Sequence, residues 1–354
     1  MLRATEYEQA GIEGRVVGIT RYESGSRTAA TVLDEARRLV EPAYRSSLDR
    51  IAPPIRMIVG YHAGWLDATG RPSKQVGKSI RPALVLASAK AVAAAEPPQG
   101  VTEAVAVELV HDFSLLHDDL TDADEQRRNR RTAWSVFGER GAQLAGDALL
   151  AMAINEMVGR PGITLLSKAL DALCNGQAAD IELEHRETGG LDESLAMIES
   201  KTAALLSCAC EMGAIAGGAD QEQARALAEF GHHLGIAFQL IDDMLGIWGN
   251  PSVTGKPLYP DLANRKKSPP IARALDSTGP TADALRELYR DVGRDTETLH
   301  RIACLIELTG AREWAEREAR RELDAALDCL AGVSADDATE DLRLLAAMMT
   351  SRSA

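Results

Sequence analysis

Aromatic residues are scarce in this chain, with 4 Phe, 4 Trp and 6 Tyr making up 4% of 354 residues. Alanine and leucine carry most of the apolar content instead. Neither is β-branched and both rank high in helix propensity, so the composition favours helices over a sheet. Cysteine is thin as well. Its five positions (Cys174, Cys208, Cys210, Cys304 and Cys329) are odd in number and show no metal-type spacing, which argues against a disulfide framework or a thiolate zinc site. Cys208 and Cys210 read as buried free thiols in an apolar helical stretch. No segment approaches the roughly 18 apolar residues of a membrane span, and the opening MLRATEYEQAGIEGR lacks the apolar core of a secretion signal. A protein of the reducing cytoplasm with no transmembrane segment is expected. Positive charge is also in deficit. A formal net charge of -14 argues against nucleic acid or an anionic membrane surface as the main partner. It is unusual for an enzyme of anionic substrates unless cations bridge acid to acid.

What is present is helical periodicity. Residues 1–28 are polar and glycine-dotted and read as a flexible leader. From residue 29 to 354 apolar residues recur at three- and four-residue intervals, with no competing strand-like alternation. TEAVAVELVHDFSLLHDDL and QARALAEFGHHLGIAFQLIDDMLGIW are two of the clearest stretches. Breaks fall at EPPQG, GRPG, ETGG, GNPSVTGKPLYP and DSTGP, where turn chemistry predicts them. The expectation is a single all-α domain of ten or so helices.

Two segments carry paired acids out of apolar helices. The first is His117-Asp118-Asp119-Leu120-Thr121-Asp122, in which Asp118 and Asp122 stand one helical turn apart and therefore share a face. Like charges at that spacing repel unless a cation is held between them, and a hard ion with oxygen ligands, Mg2+, is the natural compensation. Standing alone, such a segment would read as a solvated helix end. The apolar run before it and a second copy, Phe238-Gln239-Leu240-Ile241-Asp242-Asp243, change that reading. Facing each other, the two would form a pocket of carboxylates able to hold several Mg2+ ions, and through them a diphosphate.

Basic residues complete the pattern. The 39 basic residues divide into 31 Arg and only 8 Lys, and five of those lysines fall in the segments that matter here. Gly77-Lys78-Ser79-Ile80-Arg81-Pro82 sets a lysine and an arginine at the start of a helix expected near Pro82, where free N–H groups favour anions. Arg127 and Arg128 follow the first acids, and Lys201-Thr202 lies mid-chain. Lys256, Lys266 and Lys267 sit in the Gly/Pro-rich stretch after the second acids. Any one of these could be an ordinary surface base; the set as a whole could not.

In this order the elements GKSIRP, ELVHDFSLLHDDLTDADEQRR, AGDALL, ESKTAALL, FQLIDDMLG and TGKPLYPDLANRKKS resemble the trans-isoprenyl diphosphate synthase (polyprenyl synthetase) family, over roughly residues 30 to 350. The resemblance implies an isoprenoid synthase-type helical bundle around a deep central cavity, normally a homodimer. It implies head-to-tail condensation of isopentenyl diphosphate with an allylic diphosphate, using three Mg2+ ions. By the same resemblance Asp118, Asp122 and Asp242 are the main metal ligands, supported by Asp119 and Asp243. Arg127, Lys201 and Lys256 would hold the allylic diphosphate, with Lys266 and Lys267 as further binding residues. Lys78, Arg81, His111 and Arg128 would hold isopentenyl diphosphate, and Gln239 and Thr202 would line the region where the allylic cation forms.

The chain departs from the family pattern in a few places. Gly246 stands where a third aspartate is usual, Asn129 and Arg131 replace glycine and proline, and Tyr259 replaces a common glycine. Pro269-Pro270 is expected to stiffen the loop over 249–268. Product length is read from the residues one turn before Asp118. Ser114 is small, Phe113 is aromatic and the acidic motif has no insertion, which looks most like a geranylgeranyl diphosphate synthase, with farnesyl diphosphate synthase next. A class I terpene cyclase is disfavoured because its NSE/DTE-type metal motif is absent. A non-catalytic partner subunit is favoured only by Gly246.

Overall fold

A computed structural model describes residues 27–351 apart from 74, 76, 94–98, 128, 187–189, 250–258, 291–294 and 334–335. The described residues form sixteen α-helices. They are α1 (Ala29–Ser47), α2 (Pro53–His62), α3 (Ile80–Val92), α4 (Val101–Thr121), α5 (Ala133–Phe137), α6 (Glu139–Met157), α7 (Ile163–His185) and α8 (Leu191–Ile198). Then come α9 (Ala204–Gly217), α10 (Gln221–Trp248), α11 (Pro260–Ala263), α12 (Pro269–Leu275), α13 (Pro280–Arg290), α14 (Thr296–Leu308), α15 (Ala311–Cys329) and α16 (Asp336–Thr350). A five-residue π-helical turn, Glu199–Ala203, joins α8 to α9. Part of the excess over the expected ten or so comes from short helices that prolines start within connections, at Pro260 and at Pro269-Pro270. Pro269 and Pro270 therefore open α12, where a missing N–H costs nothing.

Local signals set the ends. Thr28 Oγ1 accepts the Thr31 amide at 3.2 Å and starts α1. Asp220 and Gln223 form a reciprocal capping box at the start of α10, the arrangement that satisfies two orphan donors at once. α3 begins at Ile80, two residues before the expected Pro82, so Arg81 lies inside its first turn. The only paired strands among the described residues are Gln126–Arg127 and Arg130–Arg131, an antiparallel hairpin just beyond α4.

α4 and α10 are central. Ala104, Val105, Ala106 and Val107 are consecutive and all buried, so no face of α4 there meets solvent, the mark of a helix enclosed by its neighbours. One apolar cluster gathers residues of α1, α2, α4, α6 and α7 around Leu109, Phe113 and Leu149. A second joins α1, α3, α9, α10, α15 and α16 around Leu84, Leu206, Phe230 and Leu345. Smaller clusters bind the end of α10 to α11, α12, α13 and α14, and α10 to α7, α8 and α15. Burying each large apolar side chain contributes roughly 1.5–3 kcal/mol, so both acid-bearing helices are held rigidly by the core. Cys208 and Cys210 lie buried in α9 as expected; burial pushes both thiols up, that of Cys210 to about 12. No helix among the described residues is long and apolar enough to cross a membrane.

Candidate active site

The first acids leave the core at the end of α4. Asp118 and Asp119 sit in its last turn and Asp122 is its C-cap, with the Asp122 amide donating to the Asp118 carbonyl at 2.9 Å. Asp119 turns inward and is only 2% exposed. One of its oxygens accepts from Arg127 Nε at 2.5 Å, while Oδ2 is buried without a hydrogen-bond partner. Burial raises Asp119 to about 6, against the opposing pull of Arg127. Burial also raises Asp118, opposed first by Lys201. Arg127 owes its position to the hairpin, which is pinned to α2: Tyr61 donates its hydroxyl to the Arg131 carbonyl at 2.7 Å, and the Arg130 guanidinium lies 4.4 Å from the Tyr61 ring centroid.

Two lysines bring the carboxylates together. Lys201 Nζ lies 2.7 Å from Asp180 Oδ2 and 3.9 Å from Asp118 Oδ1. Lys266 Nζ lies 3.0 Å from Asp122 Oδ2 and 3.7 Å from Asp180 Oδ2. Asp180, on α7, thus stands between both ammonium groups. Burial would raise it, but Lys201 and Lys266 outweigh burial and hold it below the usual carboxylate range.

The second acids lie near the end of α10. Asp243 is 7% exposed, and its Oδ1 accepts from Gln239 Nε2 at 2.8 Å while Oδ2 is buried without a partner. Gln239 Oε1 in turn accepts from Thr202 Oγ1 at 2.8 Å. Burial pushes Asp243 well up, and the negative charges of Asp261, Asp242 and Asp180 push in the same direction. Asp242 is half-buried beside it.

The π-helical turn links the two halves, directing Lys201 to Asp180 and Asp118 and the next residue, Thr202, to Gln239 on α10. π turns of this kind recur at functional sites. This one is gripped from both sides by glycines: a Cβ on Gly176 of α7 would lie 2.6 Å from the Lys201 amide nitrogen, and one on Gly235 of α10 would lie 2.5 Å from Ala203 Cα.

The residues expected to bind isopentenyl diphosphate gather elsewhere, His111 on α4 with Arg81 in the first turn of α3 and Lys78 just before that helix. Lys78, Arg81 and His111 line one cavity of about 90 Å³ with Tyr44, His62 and Asp112. The Arg81 guanidinium lies 3.0 Å from His111 Nε2. Arg128 and Lys256 lie outside the described residues. Lys267, expected as a further substrate-binding residue, lies apart from the acids. It is 2% exposed, its Nζ sits 4.9 Å from the Tyr289 ring centroid without a hydrogen-bond partner, and burial lowers it to about 8. The chain leaves its helix at Ala263 and passes through a left-handed Arg265 (φ +55°), so Lys266 and Lys267 point to different surroundings. Phe113 is buried in the core with its ring edge-on to His117 at 4.7 Å, and Ser114 Oγ donates to the His111 carbonyl at 2.8 Å.

Two carboxylates had no part in the sequence-based assignment. Asp180 sits in a stretch, AADIELEH, that reads as an ordinary solvated helix. The available signal was Gly176 one turn earlier, since a glycine inside a helix marks a close approach. Asp261 lies in the segment that carries Lys266, yet nothing in its spacing ties it to the acids of α10.

The Polyprenyl synthetase family model matches residues 65–307. The chain is 43% identical over 323 residues to a (2E,6E)-farnesyl diphosphate synthase of Mycobacterium tuberculosis, covering 88% of this chain and 90% of that one. It is 39% identical over 308 residues to a geranylgeranyl diphosphate synthase of the same species, covering 84% and 88%. Among solved structures, a polyprenyl synthetase from Streptomyces coelicolor superposes with a TM-score of 0.84 at 43% identity, over 91% of this chain and 99% of that one. A helical bundle with paired acids on two enclosed helices, matched at this level, is a prenyltransferase. The chain belongs to the polyprenyl synthetase family.

Proposed function

We propose that this protein condenses isopentenyl diphosphate with an allylic diphosphate in a Mg2+-dependent reaction, with geranylgeranyl diphosphate as the product. The observation that carries the reading is the convergence of Asp118, Asp122 and Asp180 on Lys201 and Lys266, with the π turn tying that cluster to Gln239 and Asp243.

Among the described residues no three metal-type ligands are already gathered as a metal site. A divalent cation here would therefore be shared between single carboxylates and the diphosphate, and the buried acids leave room for such a charge. Asp119 and Asp243 each keep a buried oxygen without a hydrogen-bond partner, an arrangement that costs free energy unless a charge or donor meets it. Asp118, Asp122 and Asp242 would hold the ions, three by family resemblance. When bound, Mg2+ neutralises charge on the departing diphosphate as a Lewis acid.

The chain's own groups supply the rest. Lys201 and Lys266 are charged donors already held beside the acids, ready to turn to diphosphate oxygens as the C1–O bond of the allylic substrate breaks. Preorganised charge of this kind usually contributes more to catalysis than any other single effect. Thr202 and Gln239, locked to each other, border the place where the allylic cation forms. Lys78, Arg81 and His111 orient isopentenyl diphosphate so that its C4 forms the new bond to C1. A proton then leaves C2 with the departing diphosphate, and no side-chain base is needed.

Ser114 at the fourth position before Asp118 supports a product of twenty carbons. A second reading, fifteen carbons, is supported by the 43% identical farnesyl diphosphate synthase and by the bulk of Phe113. A homodimer is part of the proposal. Leu144, Ile154 and Val158 are 53%, 42% and 68% exposed on or just beyond α6, and Leu144 and Ala151 stand seven residues apart on one stripe of that helix. Residence in the cytoplasm rests on the five free cysteines.

The test is incubation of the protein with isopentenyl diphosphate and dimethylallyl, geranyl or farnesyl diphosphate, with Mg2+ or with EDTA, reading chain length. Metal-dependent elongation stopping at twenty carbons is expected. Stopping at fifteen retains the site and replaces the chain-length reading, while a folded protein that elongates nothing is a cyclase or partner subunit instead.

A further inference from the structure

Leu166, Leu170, Leu173, Gln177 and Asp180 of α7 follow one another at intervals of four and three, so they form one stripe along the helix. At one end Leu166 and Leu173 are buried in the apolar cluster that holds Phe113, and Leu170 packs against it. At the other end Asp180 meets Lys201 and Lys266. Gln177 therefore stands at the boundary between apolar packing and charge. Both ends of its carboxamide, Oε1 and Nε2, are buried without a hydrogen-bond partner among the described residues. An amide buried in that state costs free energy unless a further group meets it.

The place of this boundary is fixed by the residue before it. Gly176 lets α7 press on the backbone of Lys201 in the π turn, which sets Gln177 beside the turn that also carries Thr202. The other carboxamide of the region, Gln239, is already committed at both ends: Oε1 accepts from Thr202 Oγ1 and Nε2 donates to Asp243 Oδ1. Gln177 keeps its carbonyl lone pairs and its N–H groups uncommitted. What would satisfy it is a partner that is electron-poor on one side and electron-rich on the other, where an apolar surface gives way to a charged one. The C1–O bond of an allylic diphosphate has that character, with its carbon on the hydrocarbon side and its oxygen on the diphosphate side.

We infer that Gln177 is a catalytic residue that meets the allylic substrate at the bond that breaks, an inference that rests on the function proposed above. As the C1–O bond ionises, its electron pair leaves with the diphosphate oxygen and positive charge spreads over C1 and C3. Gln177 Oε1 faces that charge, and Nε2 donates toward the departing oxygen. The bond from C4 of isopentenyl diphosphate to C1 then discharges the cation, and the carboxamide is left unchanged. A neutral dipole suits this place. A carboxylate could capture the cation as an ester, and an apolar side chain would leave the charge unmet.

Gln177→Leu keeps the bulk and removes the dipole, and two readouts should then move in opposite directions. Without any ligand the urea midpoint should rise, because the variant no longer buries an amide that lacks partners. In single-turnover elongation of geranyl diphosphate with isopentenyl diphosphate and Mg2+, the rate constant should fall about 100-fold, the scale of losing one preorganised polar group. The geranyl diphosphate concentration that gives half the maximal rate should change by less than about threefold, as for an interaction made in the transition state alone. Gln177→Asn, which withdraws the same amide by one methylene, should lose rate to a similar extent. A Gln177→Leu protein with a lower midpoint shows that the amide has a structural partner, such as an ordered water, and overturns the inference. So does an unaltered single-turnover rate in either variant. If the unaltered protein elongates no starter, the proposed function falls and the inference with it, whatever the midpoint shows.

Discussion

Substituting Gly176 by alanine sets two effects of opposite sign against each other. Gly176 lies inside α7, where alanine is favoured over glycine by roughly 1 kcal/mol on helix propensity alone. Against that, the new Cβ would come within 2.6 Å of the Lys201 amide nitrogen and 2.9 Å of its Cα. Those are backbone atoms of the π turn, and the turn must retreat by roughly 0.8 Å to reach ordinary van der Waals contact. Overpacking of this kind costs about 1–3 kcal/mol, so the net change is a destabilisation of about 0–2 kcal/mol. The effect on rate should be larger. Lys201 Nζ, 2.7 Å from Asp180, moves with the turn, and a misplacement near 1 Å costs about 100-fold when positioning carries the catalysis. Gly176→Ala is therefore expected to lower kcat about 10- to 100-fold in a protein that still unfolds cooperatively in urea. Gly235→Ala, pressing on Ala203 from α10, should do the same from the opposite side. A Gly176→Ala protein that is more stable by the full propensity gain and turns over at the original rate would show that the turn is not gripped as described.

Two further perturbations test the balance of charge and burial. Asp341→Asn removes an acceptor that is 5% exposed and receives Arg27 Nη2 at 2.7 Å and Lys90 Nζ at 2.9 Å. Burial pushes Asp341 up, but Arg27 and Lys90 override it and hold it below the usual range, so its contribution is complete above about pH 4 and lost as acid protonates it in the folded state. A loss of about 1–3 kcal/mol at pH 7 that shrinks below pH 4 is expected in urea titrations, and a difference that grows in acid would contradict it. Lys267→Met keeps the buried stem and removes an amine that burial lowers to about 8. It should stabilise the protein by roughly 1–2 kcal/mol at pH 7 after allowance for water near the site. The gain should fade between about pH 8 and 10, where the unfolded lysine holds its proton and the folded one does not. A destabilised variant at pH 7 would mean that the ammonium has a partner worth more than its burial costs.

The helical class and the two acid-bearing helices were legible because both depend on short-range spacing: apolar residues at one-turn intervals followed by acids that share a face. Lys201, Thr202 and Gln239 were legible only through resemblance, since what unites them is a π turn that no local pattern announces. Asp180 and Asp261 escaped for a related reason. Each is an acid in a polar stretch until packing brings Gly176 against Lys201 and Asp261 against Gly246. Lys266 and Lys267 look equivalent in a sequence as adjacent basic residues, whereas the left-handed Arg265 just before them sends one amine to Asp122 and the other under Tyr289.

Backbone strain shows why the departures from the family pattern can be tolerated. Among the described residues, the non-glycine residues with positive φ are Ser79, Ala123, Asn129, Tyr259 and Arg265. All five fall in segments that deliver site residues: between Lys78 and Arg81, just after Asp122, around the hairpin of Arg127, and on either side of Asp261. Left-handed backbone costs a non-glycine residue roughly 1–2 kcal/mol, and such costs persist only where the surroundings over-determine the conformation. Two of the five, Asn129 and Tyr259, are positions where glycine was expected, so the left-handed geometry is kept although the residue best suited to it is gone. Asparagine tolerates that geometry through its short polar side chain. Tyr259 sits 2.9 Å by its hydroxyl from His300 Nδ1 on α14, an outside contact that helps hold the turn where its own backbone preference would not. What this fold retains is therefore the placement of Asp122, Arg127, Asp261 and Lys266, and the identity of the hinge residues can drift as long as the core around α4 and α10 enforces that placement.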